Sequence, residues 1–154
     1  MAADIYIDSL FILQKRAVRI IKYASYRAES KPLFKELSIL PLKSIYRYSI
    51  LIFMFKFVKG MLPEIFGNLF RRNSDIVGHN TRQKFHLYVP YCNTTIYKNT
   101  IKMQGVLQWN AIQKDIDIFC SIHTFKKRIK SYLIRGIWIH WVVGIFHQIT
   151  YFHQ

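Results

Sequence analysis

Acidic residues are scarce in this chain. Of its 154 residues, 8 are Asp or Glu and 23 are Lys or Arg, which gives a formal net charge of +15 at pH 7. No acid lies between Ile76 and Lys114, and none follows Asp117. A nucleic-acid polymerase needs two or more carboxylates that converge on Mg²⁺, whereas Asp115 and Asp117 lie in a stretch typical of a solvated loop. The scarcity of acids therefore argues against a polymerase site.

Cysteine and glycine are also sparse, with 2 and 6 residues. Cys92 and Cys120 are too few for a disulfide scaffold, and neither has a second cysteine nearby, as a zinc module would require. Cys120, His123 and Asp117 lie closer in sequence than the members of a nucleophilic triad usually do. No glycine-rich phosphate loop is present. We therefore predict no catalytic residue, no metal, no cofactor and no enzyme activity.

The residues that are abundant point to a folded, basic protein. Hydrophobic residues make up 51% of the chain and aromatic residues 16%, a composition that excludes a disordered chain. The excess of positive charge favours polyanionic partners, either nucleic acid or an anionic membrane surface. The first ten residues lack the basic region of a secretory signal, so we expect an intracellular protein, nuclear or cytoplasmic.

The segment from Leu42 to Gly60 predicts a central helix. Pro41 precedes it, where proline suits a helix start, and Gly60 with Pro63 follows its end. Its middle is apolar on every face, as in a helix buried at the centre of a small domain. The apolar run is too short to span a membrane.

Two further segments predict amphipathic helices that carry basic residues. Residues 10–24 place an apolar stripe at helical spacing on one side, formed by Leu10, Leu13, Ala17, Ile20, Ile21 and Ala24. Basic residues fall mostly on the other side, namely Lys15, Arg16, Arg19 and Lys22. They could be either a solvated face or a phosphate-contacting face. The second segment is residues 122–134, with Ser121 as its N-cap. Its apolar stripe is formed by Ile122, Phe125, Ile129, Tyr132 and Leu133. Beside this stripe lies the sharpest basic cluster of the chain, formed by Lys126, Lys127, Arg128 and Lys130.

Shorter elements complete the predicted fold. Short helices are expected at residues 33–37, 62–70 and 106–112. Alternating polarity in residues 84–89 and 100–104 predicts two strands that pair as a small β-hairpin, and Gly105 is expected to break the chain after the second strand. The predicted fold class is mainly α with a small hairpin (α+β), a compact helical domain around the central helix.

The C-terminal segment differs from the rest of the chain. Residues 136–154 crowd tryptophan, valine, isoleucine and phenylalanine without a clear helical pattern, so we predict one helical domain over residues 1–135 and a hydrophobic tail over residues 136–154. The tail leaves a second interpretation open. The protein could be a basic membrane-associated or tail-anchored protein that uses residues 136–152, with a membrane localisation.

Several short motifs occur in one order along residues 10–133. They are Leu13–Ile21 (LQKRAVRII), Pro32-Leu33-Phe34, Leu62-Pro63, His79-Asn80-Thr81-Arg82, Gly105, Trp109-Asn110 and Thr124-Phe125-Lys126-Lys127. In this order the set resembles the C-terminal region, past the polymerase core, of jockey-like non-long-terminal-repeat retrotransposon reverse transcriptases. The family usually has Leu-Pro shortly after the Trp-Asn pair, where this chain has Ala111-Ile112-Gln113.

The resemblance implies a remnant or accessory domain of an RNA-directed DNA polymerase, because the family's catalytic acids lie upstream of this region. Such a domain would contact template RNA or target DNA through phosphate groups, without reading sequence, beside a polymerase domain that this chain lacks. Arg82, with Thr81, would donate to phosphate, and the cluster from Lys126 to Lys130 would form a backbone-binding face. Gly105, Trp109 and Asn110 would fix the fold. A decayed open reading frame without selected function is the remaining interpretation.

Overall fold

The computed structural model describes residues 2–76, 78 and 82–136, with side chains from residue 7 onward. Six α-helices lie in these ranges: α1 (Ala2–Ile21), α2 (Ser30–Glu36), α3 (Leu42–Val58), α4 (Thr95–Lys98), α5 (Ile101–Ile112) and α6 (Ile122–Gly136). Two single turns of 3₁₀ helix occur at Glu64–Phe66 and Asn73–Asp75. The mainly helical prediction is confirmed. Thr81 lies outside the described residues. So do residues 137–154, which make up almost all of the predicted tail.

The described chain forms two compact units. One contains residues up to 46 together with residues 130–136, and the other contains residues 47–129. Helices α3 and α6 each continue from one unit into the other. The predicted division at residue 135 stays a prediction.

The first unit is built on the packing of α1 against α2. The rings of Phe11 and Phe34 stack with centroids 6.3 Å apart, and Val18 and Phe34 are fully buried. Gln14 joins α1 to the start of α3, because its side-chain amide donates to the Leu40 carbonyl (3.0 Å) and its side-chain oxygen accepts from the Leu42 N–H (2.9 Å). The inner face of α1 therefore combines apolar contact with two specific hydrogen bonds.

The predicted apolar stripe of α1 does not face this core. Leu10, Leu13, Ala17, Ile20 and Ile21 are all exposed, so the apolar stripe found at helical spacing is not the buried face of this helix. The face in use carries Phe11, Gln14 and Val18, which follow one another at three- and four-residue spacing, as neighbours on a helix face do. Helix α1 therefore packs through a less apolar face than the one that its sequence pattern indicated.

Three helices end in the same way. Tyr23, Ser38 and Gly60 follow α1, α2 and α3 in the left-handed conformation, with φ of 50°, 53° and 64°. In each case the backbone N–H of the following residue donates to a carbonyl in the last turn of the helix. At the end of α1, for example, the Ala24 N–H donates to the Arg19 carbonyl at 2.9 Å. This is the Schellman arrangement, which satisfies carbonyls that a helix end leaves open.

The second unit is organised around the predicted central helix, as expected. Ile50, Leu51, Met54 and Phe55 of α3 are buried. Phe55 stacks on Phe125 of α6 with centroids 4.2 Å apart, and Trp109 of α5 lies 6.0 Å from the same Phe125 ring. These three aromatic side chains are all at most 1% exposed and form the centre of the unit.

The predicted β-hairpin is absent from the described residues. Residues 82–85 form turns, and one isolated antiparallel bridge joins Arg72 to Leu87. Residues 101–104, predicted as the second strand, form the first turn of α5 instead. The short alternation of Ile101 and Met103 fits a strand, but Gly105, Val106, Trp109 and Ile112 are buried at helical spacing, and a window of five residues cannot separate the two periods.

Gly105 is not the chain break that the sequence suggested, because it lies inside α5. It is buried against α3, where a Cβ atom would come within 2.7 Å of the Met54 sulfur. Its missing side chain therefore allows close approach of two helices. The short helix predicted at residues 62–70 is reduced to Glu64–Phe66, since Pro63 and Gly67 flank that turn and neither favours continuation.

Candidate nucleic-acid interface

Helix α6 buries three of its apolar residues and exposes the four cations of its cluster. Ser121 begins it as predicted, with its hydroxyl accepting from the Thr124 N–H at 3.3 Å. Phe125, Ile129 and Leu133 are buried. The four cations of the cluster are all exposed, namely Lys126, Lys127, Arg128 and Lys130. The helix contains no acid, so its solvent side is a strip of positive charge.

One member of the cluster, Arg128, is fixed to the preceding loop. Its guanidinium donates to a side-chain oxygen of Asp117 (3.0 Å) and to the Asp117 carbonyl (3.3 Å). The pKa of Asp117 is lowered, first because its carboxylate accepts the backbone N–H of Phe119 and then because Arg128 bonds to it. Arg128 therefore neutralises the nearest acid and holds the loop, while no described ion pair involves Lys126, Lys127 or Lys130.

Sequence reasoning missed two residues beside this cluster. Phe119 is 85% exposed, and the ammonium of Lys59, which follows α3, lies 5.3 Å from its ring centroid. The same ammonium lies 5.8 Å from the centroid of buried Phe55. Lys59 and Phe119 are sixty positions apart in sequence, so no local pattern could have paired them.

The predicted basic face of α1 is largely occupied within its own unit. Lys15 lies over the Phe11 ring at 4.3 Å, the Arg19 Nε donates to the Ala28 carbonyl at 2.8 Å, and Lys22 forms an ion pair with Glu36 at 2.7 Å. Arg16 is exposed. Lys15, Arg19 and Lys22 thus already contact groups of the same unit, which makes them weaker candidates for phosphate binding than the α6 cluster.

The remaining predicted residues fall into two groups. Arg82 is exposed in the turn over residues 82–85, and its predicted neighbour Thr81 is not described. Trp109 is buried in the core, and the Asn110 side chain bonds the backbone of Leu87 twice, accepting its N–H at 3.0 Å and donating to its carbonyl at 2.8 Å. Asn110 thereby holds the segment that bridges to Arg72 against α5.

The described part of the chain offers little for other chemistry. It contains no group of three or more His, Cys, Asp or Glu side chains placed to bind a metal ion. Cys92 and Cys120 are free thiols. Among the helices of these ranges, none has both the length and the apolar character needed to cross a bilayer.

Comparison with known proteins returned no relative. No protein-family model, no curated protein and no solved structure matches this chain. The resemblance to the reverse-transcriptase C-terminal region therefore stays a prediction based on the ordered motifs.

Proposed function

We propose that the protein is a non-catalytic nucleic-acid-binding domain of the accessory kind found beyond the polymerase core of retrotransposon reverse transcriptases. It contacts RNA or DNA through phosphate groups, with the exposed cations of α6 as the main contact. The observation that supports this proposal is the arrangement of α6, where the cations lie opposite a buried apolar stripe and three of them have no described ion-pair partner.

The electrostatics of the chain agree with this role. The net charge of +15 attracts polyanions at long range. No acid follows Asp117 in the chain, so Asp115 and Asp117 are the acids closest in sequence to the cations of α6. Lysine ammonium groups on flexible stems bind phosphate as point charges, which favours contacts that do not depend on base sequence.

A salt series tests the proposal. Binding of the full chain to single-stranded RNA and to duplex DNA is measured by fluorescence anisotropy for wild type and for the variant K126Q/K127Q/K130Q. Each lost phosphate contact reduces the slope of log affinity against log salt by about 0.9 on duplex and about 0.7 on single strands. Three lost contacts should therefore reduce the slope by about 2 to 3.

The matched control removes the same charge elsewhere in the chain. Lys98, Lys102 and Lys114 are also exposed, and K98Q/K102Q/K114Q lowers the net charge by the same amount. We expect this control to keep the wild-type slope to within about one contact. Equal slopes in both triple variants would mean that charge alone, without a defined face, attracts the nucleic acid. Absence of wild-type binding at low salt would refute the proposal.

A further inference from the structure

We infer that Phe119 is a base-stacking residue and that the α6 surface therefore prefers single-stranded to duplex nucleic acid. This inference rests on the proposed function, because the α6 cations must first bring the phosphate backbone to the loop that carries Phe119. It adds a second type of contact, between an aromatic ring and an unpaired base.

Phe119 has the exposure that stacking requires. Its side chain is 85% exposed, although a phenylalanine normally buries its ring. The ammonium of Lys59 lies 5.3 Å from the ring centroid, within the range of a cation–π contact. With 85% of the side chain open to solvent, a ring face remains available for a planar base.

The loop that carries Phe119 is attached to the basic helix. The Phe119 N–H donates to one side-chain oxygen of Asp117 at 2.8 Å, and the other side-chain oxygen accepts from Arg128 of α6 at 3.0 Å. Asp117 thus links the aromatic residue to the cation cluster through two hydrogen bonds. The loop that presents the exposed ring is therefore bonded directly to the helix that carries the cations.

Phe85, another exposed phenylalanine, lacks this link. Phe85 is 67% exposed and has the ammonium of Lys84 at 4.9 Å from its ring centroid, so its local surroundings are similar. Its cation is its own chain neighbour, however, and its turn is tied to residues 73 and 74 by backbone bonds and not to α6. Phe85 is therefore the natural matched control for Phe119.

Stacking on an aromatic side chain selects single strands for a physical reason. An unpaired base can present its face to the ring, whereas a base in a duplex is covered above and below by its neighbours. Stacking also tolerates any base, because every base has a π face. The inferred contact adds affinity for single strands without adding sequence specificity.

The test compares one single-stranded DNA 12-mer with a 12-bp duplex at a single salt concentration, using the full chain. The proteins are wild type, F119L, F119W, F85L and the α6 variant K126Q/K127Q/K130Q. We expect F119L to weaken single-strand binding by roughly five- to a hundredfold and duplex binding by less than about twofold. F119W should retain or increase single-strand affinity, because indole also stacks, and F85L should match wild type on both probes.

The outcomes separate the two proposals. If the α6 variant loses binding to both probes while F119L binds both as wild type does, phosphate binding stands and the stacking inference is refuted. Equal losses on both probes in F119L, or an equal effect of F85L, would also refute it. Wild type that binds neither probe would overturn both proposals. Circular dichroism melting confirms that F119L remains folded, as its exposed position leads us to expect.

Discussion

Helices α1 and α6 have the same kind of sequence and opposite surroundings. Each combines an apolar stripe at helical spacing with several basic residues. In α6 the stripe is buried, with Phe125 and Ile129 at 0% exposure, whereas in α1 Leu13 is 56% and Ile20 74% exposed. An amphipathic pattern thus shows that a helix has an apolar face, but a partner element decides whether that face is used.

The cations of the two helices differ in the reverse sense. On α1, Lys15 lies over a ring and Arg19 donates to a carbonyl, and Lys22 just after the helix pairs with a carboxylate. Lys126, Lys127 and Lys130 project from α6. In α1 the apolar stripe is exposed, and most of the basic side chains contact other groups of their own unit. This contrast is the reason for assigning the proposed interface to α6.

Truncation of one stripe residue on each helix gives the strongest test of the contrast. We expect Phe125→Ala to lower the free energy of unfolding by about 3–5 kcal/mol, because Phe125 contacts Phe55 and Trp109 in the core. Leu13→Ala should cost less than about 0.5 kcal/mol, since its side chain is largely solvated. Urea denaturation measures both values. Similar losses in the two variants would show that the stripe of α1 is covered after all.

The choice of face on α1 can be tested at Gln14. We expect Gln14→Ala to lower the free energy of unfolding by about 1–3 kcal/mol, because it leaves the Leu40 carbonyl and the Leu42 N–H without their partner. Ile12→Ala, on the same helix at an exposed position, is the control and should change stability little. If Gln14→Ala were as mild as Ile12→Ala, the hydrogen bonds would not be what orients α1.

A smaller effect is expected at the end of α1. Tyr23 has φ of 50°, a left-handed conformation that destabilises the folded state for a residue with a side chain. Its side chain is almost fully exposed, so no packing contact offsets this strain. Tyr23→Gly should raise the free energy of unfolding by about 0.5 kcal/mol, as relief of about 1–2 kcal/mol of strain is partly offset by the flexibility of glycine in the unfolded chain. A decrease in thermal midpoint would contradict this account.

The last prediction concerns the loop attached to α6. In the folded protein the pKa of Asp117 lies below its ordinary value of 3.8. The ionised carboxylate therefore stabilises the loop conformation at any pH above that ordinary value. That contribution disappears as the pH falls through the lowered value. Amide hydrogen exchange at Phe119 should therefore be faster in Asp117→Asn than in wild type at pH 6, with the difference vanishing in strong acid. Equal exchange at pH 6 would show that Asp117 does not order the loop.

Much of the helical framework could be predicted from local sequence. Pro41 and Gly60 bounded α3, and Ser121 marked the start of α6, because caps and helix breakers act within a few residues of the backbone they affect. The strand predicted at residues 100–104 was wrong, because residues 101–104 belong to α5 and a local pattern this short did not reveal the helix. Alternation over five residues is weaker evidence than the helical spacing of the buried residues along the whole of α5, where the missing side chain of Gly105 lets Met54 of α3 approach closely.

The candidate site shows the same division. The sequence by itself determined the excess of positive charge, the four clustered cations of α6 and the apolar stripe opposite them, since these depend on composition and on the fixed geometry of one helix. Tertiary structure alone decided that Arg128 bonds Asp117, that Lys59 meets Phe119 and that α1 presents its apolar stripe to solvent. Such contacts join residues that are distant in sequence or depend on which surfaces other elements offer, and neither is encoded in a local pattern.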